Sequence, residues 1–420
     1  MKYFTAIYGC QMNISDTERA STILEGLGYQ PTGKITEADL VLVSMCSVRQ
    51  SAVDRIYGLA INFKKLKKKP KKILIGCVLN KDKKKLAEVF DFILGAEDFS
   101  QLPKMLGQEV CTKLKSKYFS KLSACLPIMT GCNNFCAYCV VPYTRGREIS
   151  LPATGILKEV KSLVKNGYKE IWLLGQNVNS YHSVEKGRKI EFADLLKMID
   201  NVPGKFWIRF TSPHPKDFSG DLIKTMAEAK KVTPYLNLPI QSGDDTILKK
   251  MNRPYTVRHY KDLVKKIREA FVREKKELAL STDVIVGFPG ETEKQFNNTL
   301  NVFQEIKYDM AYINRYSPRS QTAAFKMKDT VTSQEKKDRE NILNEALKIT
   351  AREKNNNFID EIVEVLVQES KKGFLIGKTG HLKTVKFKGP QNLTGKFVKV
   401  KIKDAGAWGM KGELIKKDSA

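Results

Sequence analysis

The sequence predicts an α/β chain of more than one domain that closes with a small all-β unit, and three observations predict it. Short apolar, β-branched runs alternate with amphipathic stretches at the spacing of βαβ units up to Tyr316. From Val363 onward the pattern changes to period-two alternation punctuated by glycines. At 420 residues and 42% hydrophobic content the chain is too long for one ordinary domain and can bury sizeable cores, which excludes a disordered polypeptide. The balance of 73 Lys+Arg against 46 Asp+Glu leaves +27, which favours an anionic partner, nucleic acid first; a lysine-rich surface that binds nothing specific is the plain alternative.

No apolar run approaches the roughly 18 residues of a membrane helix, and the opening MKYFTAIYGC lacks the pattern of a secretory signal, so no membrane and a cytoplasmic location are expected. Eight cysteines in a large chain of a reducing compartment point to metal binding or catalysis rather than disulfides.

The first elements are read around three of them. Tyr3 to Tyr8 precedes Cys10, Leu40 to Val43 precedes Cys46, and Ile73 to Ile75 precedes Cys77, each run reading as a strand. The separations of 36 and 31 residues, with an amphipathic stretch at Asp16 to Leu27, imply a parallel α/β sheet. Such a sheet lines up the carboxyl ends of its strands along one edge, where ligands bind. Three thiols there could hold an iron–sulfur cluster or a zinc ion, or simply be small buried residues. The run Lys64 to Lys72 reads as a solvated surface.

Next comes the most specific signal, GCNNFCAYC, which sets Cys132, Cys136 and Cys139 at C-x3-C-x2-C spacing on one loop after the strand Cys125 to Met129. Three thiolates on one loop can bind three irons of a [4Fe-4S] cube and leave the fourth open. A zinc site would need a fourth ligand, and the histidines, at 182, 214, 259 and 381, are scattered.

Five further strands follow: Lys169 to Leu174, Phe206 to Thr211, Tyr235 to Ile240, Leu278 to Val286 and Ala311 to Tyr316, with helical patterns between. The first helix aligns Ile156, Val160, Leu163 and Val164 and stops at Gly167, and another opens on a Thr292/Gln295 capping box. Polar residues gather at the strand ends: Gln176 and Asn177, Ser212 and His214, Gln241 and Ser242, and Asp283. They are candidate cofactor or substrate contacts, or strand-end caps. The turn VGFPGET, with Gly287, lacks the Lys-Ser/Thr of a phosphate loop; it is a tight turn or a close backbone approach to a cofactor.

Ser333 to Lys354 reads as a charged helix. Val363, Val365 and Val367, then Val398, Val400 and Ile402 alternating with Lys399, Lys401 and Lys403, belong to about five short strands, a small OB-like barrel. His381, Lys383 and Lys386 favour RNA contact there.

The cysteine loop, with Tyr138 before its last cysteine, resembles the motif of the radical S-adenosylmethionine superfamily. The whole chain resembles the methylthiotransferase family within it, over YGCQMN, MCSVRQSA, IGC, GCNNFCAYCVVPYTRGRE, LLGQNVNSY, IRFTSPHP, LPIQSG, VGFPGETE and YSPR. GQNVNSY and PYTRGRE favour the branch that modifies N6-isopentenyl(dimethylallyl)adenosine in tRNA over those acting on threonylcarbamoyladenosine or a ribosomal-protein aspartate. Met45 and Leu151 stand where the family usually has threonine and arginine.

The resemblance implies an N-terminal cluster domain (1–118), a central partial (β/α)6 barrel (119–350) and a C-terminal TRAM domain (355–418). It implies two [4Fe-4S] clusters, one on Cys132, Cys136 and Cys139 and an auxiliary one on Cys10, Cys46 and Cys77; Tyr138 and, from the strand ends and the glycine turn, Gln176, Asn177, Gln241, Asp283 and Gly287 are the candidate contacts of S-adenosylmethionine. Cys111 and Cys125 match no ligand of the family. The expected reaction is 2-methylthiolation of position 37 of tRNA, using two S-adenosylmethionine, a sulfur source and an electron donor such as flavodoxin or ferredoxin; a monomer is expected. A non-catalytic tRNA-binding iron–sulfur protein is the alternative of a different class.

Overall fold

The computed structural model describes residues 1–48, 50–63, 65–95, 98–107 and 117–415; Cys111 and Lys64 lie outside them. Strands β1 (Lys2–Tyr8), β2 (Gln30–Pro31), β3 (Leu40–Cys46), β4 (Lys71–Cys77) and β5 (Phe92–Leu94) form a parallel sheet in the order β2-β1-β3-β4-β5. Every residue of β3 is buried because apolar side chains cover both faces. Leu40 and Leu42 pack with Leu24 of helix Gln11–Gly26 on one side. Val41 and Val43 pack with Val53 and Ile56 of helix Gln50–Phe63 on the other.

The central part opens with β6 (Ser123–Pro127), followed by the short antiparallel pair β7 (Met129–Thr130) and β8 (Ile149–Ser150), which staples the two ends of the cysteine loop. Then come β9 (Glu170–Leu174), the hairpin β10 (His182–Glu185) and β11 (Arg188–Glu191), β12 (Trp207–Phe210), β13 (Tyr235–Asn237), β14 (Ala279–Val286) and β15 (Met310–Arg315). Two parallel sheets, β6-β9-β12 and β13-β14-β15, are joined by a bridge between Ile208 and Val232, giving six parallel strands wrapped around one core. Helices Ala153–Lys165, Phe192–Asp200, Gly220–Glu228, Val257–Arg273 and Glu293–Ile306 connect them. Thr292 and Gln295 form the expected reciprocal cap. The strand expected to reach Ile240 stops at Asn237: Pro239 has no N–H for the ladder, and pairing with β14 resumes only at Gln241.

Helix Ser333–Asn356 leads to a closed barrel, β16 (Ile362–Lys371), β17 (Phe374–Thr379), β18 (Thr384–Lys388), β19 (Phe397–Gly406) and β20 (Gly409–Leu414), in the order β16-β17-β18-β20-β19. Val400 and Ile402 point into it, while Lys401 and Lys403 pair outside with Asp360 and Glu413. The expectation for His381 and Lys383 is corrected. Lys383 Nζ pairs with Asp309 at 2.6 Å with both side chains 8% exposed, and the His381 ring meets the Glu277 carbonyl at 3.0 Å. Lys383 is buried against the central part, and the His381 ring is half-buried against it. Lys386 alone of the three stays outside, its ammonium 4.1 Å from the Phe374 ring centroid.

A buried arginine completes this latch. Arg209 of β12 donates to Glu170 Oε1 (2.6 Å), the Thr379 carbonyl (2.8 Å) and the Gly380 carbonyl (2.7 Å), with the Trp172 and Trp207 rings on its flanks. Removing one partner of a buried pair strands the other charge, so Arg209→Ala should cost about 3–5 kcal/mol, and adding Glu170→Gln should recover part of it. Thermal unfolding of the single and double variants checks this; a single-variant cost below about 1 kcal/mol would contradict the latch.

Candidate functional site: two sets of thiols across one seam

Parallel register brings the first set together. Cys46 and Cys77 are directly paired ends of β3 and β4, and Cys10 follows β1, whose Tyr8 pairs with Met45. Asn13, wholly buried, ties Cys10 to this edge. Its side-chain oxygen accepts from the Cys10 amide (3.3 Å) and lies 3.4 Å from Cys10 Sγ, while its amide nitrogen donates to Ser44 Oγ (3.1 Å) and the Met45 carbonyl (2.9 Å). The glycines before two of the cysteines make room for it. A Cβ on Gly9 would fall 2.3 Å from Asn13 Oδ1, and one on Gly76, at φ +104°, would fall 2.7 Å from Asn13 Nδ2 and 2.5 Å from the Met45 carbonyl.

A hydrogen bond from Cys46 lowers the Cys10 thiol to about 6 against the opposing effect of burial, and the same bond holds Cys46 above the usual range. Burial raises Cys77 in spite of the neighbouring Arg145 guanidinium. These thiols titrate as a set.

The second set rides on the loop after β7. Gly131, at φ +76°, admits no side chain because the Arg147 carbonyl would lie 2.0 Å from a Cβ. The Cys132 amide donates to the Gly146 carbonyl (3.3 Å) and Ala137 exchanges backbone bonds with Met251 (2.9 Å) and Ala324 (2.7 Å). Arg253 lies under the loop, donating to Cys136 Sγ at 3.5 Å and to the Pro239 carbonyl at 3.2 Å. Burial, reinforced by Cys136, pushes Cys139 up to about 12, and burial also raises Cys132. Crowded, buried thiols of this kind lose their protons when a cation takes the protons' place.

All seven described cysteines are free thiols. Among the described residues no three His, Cys, Asp or Glu side chains converge as one metal ion requires. The donor chemistry is that of a multi-iron cluster, in which each thiolate has its own iron. Cys125, in β6, belongs to neither set.

A cavity of about 700 Å³ opens beside the second set, with Cys139 on its wall. The chain after Cys46 contributes Val48 and Gln50, and the barrel contributes Tyr138, Cys139, Gln241 and Asp283. Arg319, after β15, closes the seam by donating to the Val48 carbonyl (3.2 Å) and to Gln50 Oε1. Gln241 is held at φ +70° by backbone bonds to Asp283 (2.9 Å) and Ile285 (3.0 Å), a strained geometry of the sort functional sites retain. Asp283 Oδ2 accepts from Asn237 at 2.8 Å.

Gln176, Asn177 and Gly287 are not on the cavity wall. Gln176 Oε1 and Asn177 Oδ1 are buried at the end of β9 without a hydrogen-bond partner. The Gly287 amide donates to Glu291 Oε2 (2.6 Å), and its missing side chain admits Lys336, which does line the cavity. Asn13, Arg145, Arg253 and Arg319 were not singled out by sequence reasoning, although all but Arg253 lie inside stretches that carried the resemblance.

Three family models match the chain: Uncharacterized protein family UPF0004 over residues 2–95, Radical SAM superfamily over 126–303, and TRAM domain over 357–415. The chain is 42% identical over 443 residues to the tRNA-2-methylthio-N(6)-dimethylallyladenosine synthase of Clostridium novyi, covering 99% of this chain and 96% of that protein. It is 38% identical over 440 residues to the synthase of the same name from Carboxydothermus hydrogenoformans, covering 98% and 99%. A radical S-adenosylmethionine methyltransferase of Kitasatospora setae shares the fold at TM-score 0.55 and 13% identity, covering 77% of this chain and 75% of its own. The chain belongs to the tRNA-2-methylthio-N(6)-dimethylallyladenosine synthase family of the radical S-adenosylmethionine superfamily.

The bracket around Asn13 predicts opposite outcomes at two glycines. Gly76→Ala should destabilise the cluster-free protein by more than about 1 kcal/mol, whereas Gly58→Ala, in a helix with open space around it, should stabilise by about 0.4–1 kcal/mol. Denaturant titration of both variants gives the comparison.

Proposed function

We propose that this chain attaches a methylthio group to C2 of N6-isopentenyl(dimethylallyl)adenosine at position 37 of tRNA, using two S-adenosylmethionine and a sulfur source. The observation that carries the reading is the joining of the two thiol sets by Arg145, which follows the loop of Cys132, Cys136 and Cys139 and donates to the Cys77 sulfur, beside a cavity lined by Cys139, in a chain alike end to end to synthases of that name. Cys132, Cys136 and Cys139 would hold one [4Fe-4S] cluster, and Cys10, Cys46 and Cys77 a second. When bound, these clusters and S-adenosylmethionine supply a hydrogen-abstracting carbon radical and the sulfur that is transferred.

The protein's own residues then have definite tasks. Tyr138, Gln241 and Asp283 orient the cofactor on the wall they share with Cys139. Gln176 and Asn177, with unsatisfied buried oxygens, present acceptors at the neighbouring strand end. Gly287 acts by admitting Lys336. Val48, Gln50 and Arg319 close the seam between the two parts and keep water from the reacting centre. The adenine must leave its stack to enter, which suits a loop nucleotide. The net charge of +27 draws the RNA backbone, and Lys386 with Phe374 offers a cation and a ring on the tail barrel for it. Residues 1–118, 119–350 and 355–418 would be the three working units, served by a flavodoxin or ferredoxin in a cytoplasmic monomer.

The test is mass spectrometry of nucleosides from isopentenylated tRNA after anaerobic incubation with reconstituted protein, S-adenosylmethionine, sulfide and dithionite. A 2-methylthio adduct is expected. Cys46→Ser should abolish that adduct and spare 5′-deoxyadenosine. If the parent protein yields 5′-deoxyadenosine alone, the substrate is a different one; if neither product forms with both clusters loaded, the reading fails.

A further inference from the structure

Arg145 sits on the barrel side, six residues beyond Cys139, yet its side chain is spent on the N-terminal sheet. Nε donates to Cys77 Sγ at 3.0 Å and Nη2 to Asp16 Oδ2 at 2.6 Å, the charged pair having both side chains 2% exposed. Asp16 lies on helix Gln11–Gly26, whose cap residue is Cys10. One guanidinium therefore grips two of the three elements that carry this thiol set. Its backbone is fixed equally firmly: the Arg145 amide donates to the Val141 carbonyl (2.8 Å), and the next carbonyl, of Gly146, receives the Cys132 amide. The route from Cys132 to the Cys77 sulfur consists of one hydrogen bond, two residues of chain and one side chain.

Docking alone does not account for this geometry. The ion pair with Asp16 would suffice to hold the two parts together, and a thiol is a poor acceptor. A charged, planar donor aimed at sulfur is instead the arrangement that orients a metal-binding thiolate and draws electron density from it.

We propose that Arg145 is a positioning residue for the Cys10, Cys46 and Cys77 set, holding the Cys77 sulfur against the barrel and raising the reduction potential of the cluster bound there. This deepens the reading that these cysteines hold an iron–sulfur cluster and rests on it. A cationic N–H on a cluster thiolate favours the reduced, more negative state, so losing that bond lowers the potential.

The test uses the full-length chain carrying Cys132→Ala, Cys136→Ala and Cys139→Ala, reconstituted anaerobically and followed by iron analysis and an EPR-monitored redox titration. Asp16→Asn is placed in both arms so that the ion pair is absent from each. Adding Arg145→Met should leave iron content unchanged and lower the midpoint potential, and Arg145→Lys should restore part of it. In the chain with all its cysteines, Arg145→Lys should keep 5′-deoxyadenosine formation within about twofold while methylthiolation falls about 10–100-fold.

An unchanged potential on Arg145→Met, or a parallel fall of both products on Arg145→Lys, overturns the proposal and leaves the cluster assignment standing. Absence of iron from the triple-alanine parent overturns the cluster assignment itself, and the proposal with it.

Discussion

The Arg145 guanidinium, paired with Asp16 and donating to the Cys77 sulfur, is the contact on which the arrangement of the two thiol sets depends. Each charge is almost wholly withdrawn from water, a state tolerated only with a partner in good geometry. The pair cannot form unless the cysteine loop of the barrel lies against the carboxyl edge of the N-terminal sheet. That requirement fixes how the two parts meet and places Cys77 beside the backbone that carries Cys132. Arg319 repeats the device across the cavity, reaching from the end of β15 to the chain after Cys46. Two arginines from the first and last portions of the barrel thus close one seam.

The surrounding structure serves that seam. Parallel pairing sets Cys46 and Cys77 side by side, and the Asn13 bracket adds Cys10. Six parallel strands bring Gln241 and Asp283 to the same end as the cysteine loop, as function in barrels of this type requires. The tail barrel is held on the opposite account: Arg209 and Lys383 bury its turn against the central part, so it sits as a fixed surface beside the barrel and not as a tethered arm. A rigidly held RNA-binding unit presents a long substrate in one orientation at little entropic cost.

Much of this was legible in the sequence because periodicity and strand ends carry it. Six central strands, five tail strands and the alignment of Cys10, Cys46 and Cys77 follow from runs of β-branched residues and their separations. What stayed hidden has a common cause: a charged side chain reads as exposed unless its partner is known. Arg145, Arg209 and Arg253 have partners as far as 129, 171 and 117 residues away, namely Asp16, the Gly380 carbonyl and Cys136 Sγ. Lys383 was misread for the same reason, its partner Asp309 lying 74 residues earlier. The early end of β13 was legible in Pro239 but is outweighed in a reading that counts only apolar residues.

The central claim is that the seam held by Arg145 brings the two thiol sets close together, and magnetic interaction between the two loaded clusters tests it most directly. EPR spectra would be recorded on the fully reduced protein and on the two full-length variants that each keep only one set of cysteines. The account predicts that the spectrum of the complete protein is broadened and split relative to the sum of the two single-set spectra. A spectrum equal to that sum would mean that the clusters lie too far apart to face each other across the seam, and would contradict it.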